Sequence, residues 1–377
     1  MYKTGVMDLM LHYGSVPRWL LNRMIKLAEG IFTLIIDEFG VKEVLNRLSD
    51  PLFFQACSNV LGFDWDSSGS TTVTCYVLRK VFDGKNLGIK VAGGKGEKSK
   101  KTPEDLEHIG EEFNISTYKI EQLKYASRMT AKVDNTAIQA GYQIYHHTIF
   151  VSEEGDWTVV QQGLNLDSKT ARRYHWLSQN LRSFVEEPHS GIFGQKVHEQ
   201  VLDMTSNKSE ENRKTCVDLV NESYKKIQRD YLTLIKPNQT SLTGETMFQP
   251  KRQHPHYKLL PEKVNWKALR KAYEIKPKNF EELLAVKGIG PTTVRGLALV
   301  AELIYGAKAS WEDPLKFSFA FGGKDGVPFP VKRKAMDEAV RFLRQILETA
   351  EINKKDKLEA LKRLRSFVPK NVGGLVG

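Results

Sequence analysis

The chain has 377 residues, 41% of them hydrophobic and 27% charged, a composition ordinary for a soluble globular protein of two or three domains. Its longest early apolar run, near residues 31–36, is far too short for a membrane span, and Arg18, Arg23 and Lys26 interrupt the apolar residues a signal peptide would need. The formal net charge of +11 is unevenly spread: residues 251–377 hold 26 Lys and Arg against 14 Asp and Glu, while residues 1–250 hold 30 against 31. A basic C-terminal third attracts a polyanion, so a nucleic acid is the expected partner, with neither a membrane nor a small-molecule ligand. Three cysteines, Cys57, Cys75 and Cys216, have no metal-ligand spacing. They read as reduced and buried in a cytoplasmic protein.

Residues 16–48 repeat apolar side chains at three- and four-residue steps, through Trp19, Leu20, Met24, Leu27 and Ile31, and predict a helix ended at Gly40 with a second one following. Residues 52–61 are apolar enough for core. The loop 63–72 places Asp64 and Asp66 two residues apart before hydroxyls around Gly69, which reads either as a phosphate or cation cradle or as a capped helix start. Val73–Phe82 reads as a strand or a buried helix. Residues 84–105 read as a loop in which Gly93, Gly94 and Gly96 sit beside lysines, with Thr102 and Pro103 opening a helix. No G-x-x-x-x-G-K-[ST] occurs, so nucleotide hydrolysis of that type has no support.

Residues 142–151 and Trp157–Gln162 read as a β-hairpin turning at residues 152–156. Centred on Glu154, it sets His147 opposite Gln161 and His146 opposite Gln162, so each face carries one His and one Gln. Residues 171–176 then mix cations with aromatics: Arg172 and Arg173 suit phosphate, and Tyr174, His175 and Trp176 suit contact with a base. If helical, this stretch would otherwise be a solvated face. Residues 203–230 look like a polar helical connector and Thr240–Gln253 like a linker. His254 and His256 read as loop residues.

Phe280–Gly306 is the segment whose order implies a partner. A short helix over Leu283, Leu284 and Val286 leads into the turn Gly288-Ile289-Gly290, and Pro291 opens a second helix. Two glycines are expected to take φ > 0 and let a ligand approach, while the unpaired N–H groups of the helix start face an anion. Lys287 and Arg295 add charge, Thr292 follows the turn, and Ile289 plugs the space between helices. The pattern resembles the helix–hairpin–helix motif, which grips DNA phosphates without reading sequence. Two further helices are expected at about 332–351 and 355–365, with a basic tail extending the DNA-facing surface.

The predicted class is α+β. A mixed N-terminal domain, 1–200, contains the hairpin sheet; 201–255 connects it to a mainly helical basic domain, 256–377. Taken together, GFDWDSSGSTT, VAGGKG, AKVDNTAIQAGYQIYHH, VVQQGLN, ARRYHW, EPHSGI, the GIG hairpin and FAFGGKDGVPFPV resemble the archaeal and thermophile family catalogued as domain of unknown function 763. The similarity spans nearly the whole chain but implies little chemistry, so function rests on the residues.

Their leading reading is a metal-dependent DNA nuclease of repair or recombination. Asp64 and Asp134 are the expected ligands of Mg²⁺ or Mn²⁺, His146 or His147 the acid–base beside Gln161, and Lys132, Arg172 and Arg173 the phosphate clamps. No D…ExK signature is present, since Val160-Gln161-Gln162 stands where its acid and lysine would be. A helix–hairpin–helix DNA glycosylase is the second reading, with Asp313 as its carboxylate and Thr292 implying a monofunctional enzyme. An alternative alignment through Pro328-Phe329-Pro330 places Lys332 where that carboxylate belongs. A non-enzymatic DNA-binding or scaffold protein is the third.

Overall fold

A computed structural model describes residues 16–62, 69–194, 197–235, 255–315 and 333–367. The apolar repeat at the start folds as α1 (Arg18–Phe39) and α2 (Val41–Ser49), separated at Gly40. In α3 (Pro51–Leu61) the Asp50 side chain accepts from the Leu52 amide and every helical residue is buried. Residues 73–82 belong to a helix, α4 (Gly69–Gly84), whose buried Thr74, Cys75, Leu78, Val81 and Phe82 recur at helical spacing.

The stretch expected as loop holds β1 (Ile89–Lys95), the short α5 (Glu97–Lys100) and α6 (Thr102–Glu112). After α7 (Thr117–Thr136), capped by Ser116, come β2 (Ile138–Gln139), β3 (Gln143–Ser152), β4 (Trp157–Asn165), β5 (Thr170–Leu177), β6 (Gly191–Gly194) and β7 (Leu202–Asp203). The remaining helices are α8 (Glu210–Glu222), α9 (Tyr224–Ile235), α10 (Trp266–Ile275), α11 (Phe280–Ala285), α12 (Pro291–Leu303), α13 (Arg333–Thr349) and α14 (Lys354–Phe367).

Five strands form an antiparallel sheet in the order β1-β3-β4-β5-β6, and β2 pairs with β7 apart from it. The hairpin register is the expected one: His147 lies opposite Gln161 and His146 opposite Gln162. The class is α+β. Alternation along the strands feeds two cores. Phe150, Val160, Ala171 and Phe193 face the helices of residues 18–84, while Ile149, Val159, Tyr174 and Trp176 face α6 to α12.

These cores revise the expected domain boundaries. Leu343, Leu347 and Leu364 of α13 and α14 belong to the first core with α1 and α3, not to a unit with the hairpin helices. Arg363 donates to the Val60 carbonyl at 3.2 Å, so this part of the basic tail grips the N-terminal helices. Conversely, α8 and α9 pack on α10 and α12 as part of the second core and do not merely connect. No helix among the described residues is long and apolar enough to cross a membrane. Asp64, the linker 240–253 and the loop 317–330 lie outside the described residues.

Candidate nucleic-acid interface

The GIG turn exists as a helix–turn–helix pair, α11 and α12, closed by the Ile289 amide donating to the Val286 carbonyl at 3.1 Å. Ile289 is fully buried, as expected of a plug, while Lys287, Gly288 and Thr292 are exposed. Only one of the two glycines needs its conformational freedom. Gly288 has φ 95°, and a β-carbon there would sit 3.1 Å from the Ala268 side chain. Gly290 has φ −113° and ψ −177°, ordinary extended backbone, and a β-carbon on it would meet nothing within 4 Å. Gly290 therefore serves bareness rather than the turn.

Three side chains hold the turn from beneath by its carbonyls. Asn265 Nδ2 donates to Gly288 at 3.2 Å, Lys132 Nζ donates to Ile289, and Gln139 Nε2 donates to Pro291 at 2.8 Å. Arg295 Nε in turn donates to Gln139 Oε1 at 2.7 Å. Burial pushes both the Lys132 ammonium and the Arg295 guanidinium below their ordinary pKa values. Lys132, expected as a phosphate clamp, and Arg295, expected to add charge beside the turn, are thus spent on positioning it. What faces outward is Lys287 with the Gly290 and Thr292 amides, which have no hydrogen-bond partner among the described residues.

Of the predicted catalytic residues, Asp134, Gln161 and His147 assemble, but inside the protein. Asp134 is fully buried and accepts from Gln161 Nε2, from Trp176 Nε1 at 3.0 Å and from His189 Nε2 at 2.5 Å. Gln161 gives its amide nitrogen to that carboxylate, so its Oε1 faces His147 Nδ1 at 2.8 Å and Nδ1 must carry the proton. His147 Nε2 is left as acceptor for the Ser127 hydroxyl at 2.8 Å. This Ser–His–Gln–Asp chain is oriented as a proton relay would be, yet Ser127 is only 7% exposed and His147 4%. Burial also pushes the His147 imidazole below its ordinary pKa, keeping it neutral. The chain fastens α7 to the sheet.

Asp134 is accordingly corrected from metal ligand to buried acceptor: both its oxygens are taken by protein donors. His146 faces the opposite side of the sheet from His147 and joins neither Asp134 nor Gln161. The Arg-rich stretch is the strand β5, buried along its whole length, so Arg172, Arg173, His175 and Trp176 cannot reach a nucleic acid. Arg172 forms an ion pair with Asp313 in which both side chains are fully buried. Arg173 donates through Nη1 and Nη2 to Gln55 Oε1, each at 3.1 Å, lies between Phe54 and Phe193, and has no carboxylate partner among the described residues; burial pulls its pKa down to about 9. His175 accepts from Arg173 Nε at 2.9 Å and binds the Leu48 carbonyl through Nδ1.

The family model described as protein of unknown function (DUF763) matches residues 5–331, most of the chain. The chain belongs to this family. No curated protein and no solved structure matches it. The DUF763 stretches quoted from the sequence divide accordingly: ARRYHW and the histidines of GYQIYHH build the sheet interior, and the GIG turn reaches the surface with Ile289 buried beneath it.

His189, Gln139 and Asn265 were not singled out for these roles. His189 sits in the EPHSGI stretch with no periodic neighbour, so only three-dimensional proximity pairs it with Asp134. Gln139 and Asn265 are lone amides whose partners on the turn are carbonyls more than 20 residues away. His256, read as a loop residue, is bonded through Nδ1 to Glu302 Oε1 at 2.7 Å.

Proposed function

We propose that this protein is a cytoplasmic DNA-binding protein that holds the DNA sugar–phosphate backbone at the α11–α12 turn, in the manner of a helix–hairpin–helix. The observation carrying this is the bare turn itself. Two unpartnered amides and the α12 N-terminus lie beside exposed Lys287, on a loop braced by Asn265, Lys132 and Gln139. Backbone amides and one lysine recognise phosphate and carry no base code, so binding is expected to be insensitive to sequence. The basic excess of residues 251–377 favours encounter with a polyanion.

Cleavage is not part of this proposal. A divalent cation at Asp134 would have to displace the donors of Gln161, Trp176 and His189, and a glycosylase would have to free Asp313 from Arg172. The binding reading is tested by titrating fluorescent duplex and single-stranded DNA of several sequences at rising salt. Wild-type affinity should fall steeply with salt, and Lys287→Glu with Thr292→Glu should weaken it by about tenfold or more. Salt-insensitive binding, or a double variant that binds as well as wild type, would overturn the proposal.

A further inference from the structure

On the face of the sheet away from the Asp134 network, a cavity of about 210 Å³ opens between α4 and the edge strand β1. Its floor is Cys75, Val91, Thr148 and His146, its mouth carries Tyr76, Arg79, Lys95 and Lys98, and among the described residues no Asp or Glu lines it. Arg79 is engaged by Asp83 at 3.2 Å and Asp105 at 3.3 Å. Lys95 and Lys98 are exposed and have no carboxylate partner among the described residues; their ammonium groups lie 5.9 Å from the Tyr145 ring and 5.8 Å from the Tyr76 ring.

His146 is the decisive residue. It is 2% exposed, its Nε2 meets Thr148 Oγ1 at 3.0 Å, and its Nδ1 has no hydrogen-bond partner among the described residues. The ring lines the cavity, and a buried polar atom left unpaired costs about 1–3 kcal/mol, a cost that a guest seated there and reaching Nδ1 would remove. Burial, with His147 and Lys95 nearby, pulls the imidazole pKa down to about 3. It is therefore neutral at physiological pH and offers a hydrogen bond, not a charge. The Cys75 thiol is pushed up to about 12, which leaves it unreactive as a nucleophile.

We propose that this cavity binds a nucleoside phosphate, with the phosphate on Lys95 and Lys98, the base on the apolar floor, and His146 Nδ1 hydrogen-bonded to the base edge. Unpaired lysines at the mouth suit the anion, the Tyr76 ring offers a face for stacking, and a single histidine atom suits an edge group. The volume is below the 300–1,000 Å³ usual for drug-sized ligands, which fits the insertion of one base with the rest of the ligand at the mouth. This runs against the sequence expectation that no small molecule binds. The ligand chemistry is shared by a free mononucleotide and by the phosphorylated end of a DNA strand.

Calorimetric titration of the full chain tests it with the four deoxynucleoside 5′-monophosphates, the matching nucleosides and inorganic phosphate. Saturable binding of at least one monophosphate, at least tenfold tighter than its nucleoside or inorganic phosphate, is expected. Lys95→Gln with Lys98→Gln, both exposed positions, should weaken it by at least tenfold, and His146→Asn should weaken it where that variant keeps the wild-type circular dichroism spectrum. In the Lys287→Glu, Thr292→Glu background, which weakens the hairpin, a 5′-phosphorylated oligonucleotide compared with its 5′-hydroxyl form distinguishes a strand end from a free nucleotide. Absence of saturable binding at millimolar monophosphate, inorganic phosphate binding equally well, or a lysine double variant that binds like wild type would each overturn the proposal without touching the hairpin reading.

Discussion

Arg172 and Asp313 meet as a fully buried two-bond ion pair, Nη1 to Oδ1 at 2.9 Å and Nη2 to Oδ2 at 2.7 Å, joining β5 to the segment that follows α12. Asp313 also accepts the amides of His198 at 2.9 Å and Leu315 at 3.1 Å, so none of its capacity is left for a substrate. Arg172→Met strands a carboxylate in the interior and should destabilise the fold by about 3–5 kcal/mol. Adding Asp313→Asn, which removes the charge but keeps an acceptor for the two amides, should recover at least about 1 kcal/mol. Urea unfolding of both variants measures this. A single variant as stable as wild type would show that the pair is not desolvated as the structure has it.

The same pair shows what was legible in the sequence. The hairpin register, the helical pairs at both ends and the GIG turn were readable because each depends on local periodicity or on residues a few positions apart. Arg172 lies 141 positions from Asp313, and nothing local distinguishes an arginine paired in the interior from one awaiting a phosphate. Arg172 shares its strand with Tyr174 and Trp176, whose apolar bulk was the available sign of burial. Glycine-rich β1 was missed for a related reason: without side chains to alternate, residues 93 and 94 leave no strand pattern, although the backbone pairs with His147 and Thr148.

The Asp134 network predicts a structural rather than a catalytic phenotype for His147→Ala. Removing the imidazole leaves the Ser127 hydroxyl and Gln161 Oε1 without partners inside the core, together with a cavity. A loss of about 2–4 kcal/mol of stability is expected, with DNA affinity unchanged while the protein is folded. Thermal unfolding and a DNA titration on one preparation check both halves. Weaker DNA binding by a fully folded variant would place His147 in the interface after all.

Stability should fall on mild acidification, and the sign follows from the buried histidines. His146, His147 and His175 all have native pKa values below the ordinary 6.5, chiefly through burial, with His146 at about 3. Between about pH 6.5 and pH 3 the unfolded chain takes protons that the native chain refuses. The stabilisation is whole above 6.5 and is lost as pH drops through that window, by up to about 1.4 kcal/mol per pH unit for each histidine. Unfolding free energies at pH 7, 5.5 and 4.5 measure the slope, and His146→Asn should flatten it by about one proton. An unchanged slope in that variant would mean that His146 titrates alike in both states.

The two glycines of the turn separate folding from binding. Gly288→Ala forces a side chain onto φ 95° with its β-carbon 3.1 Å from the Ala268 side chain, so it should cost about 1 kcal/mol or more of stability. Gly290→Ala meets no strain, because φ −113° and ψ −177° are open to any residue and the space around the new methyl is empty. By restricting the unfolded chain it should leave stability unchanged or raise it by about 0.4–1 kcal/mol. Yet the methyl would stand beside the unpartnered amides of residues 290 and 292, where a phosphate oxygen must come within hydrogen-bond distance. DNA affinity should therefore drop several-fold in a variant at least as stable as wild type, a combination that unfolding cannot imitate. If Gly290→Ala binds DNA as tightly as wild type, the phosphate does not sit on this turn, and the basic surface must engage DNA elsewhere.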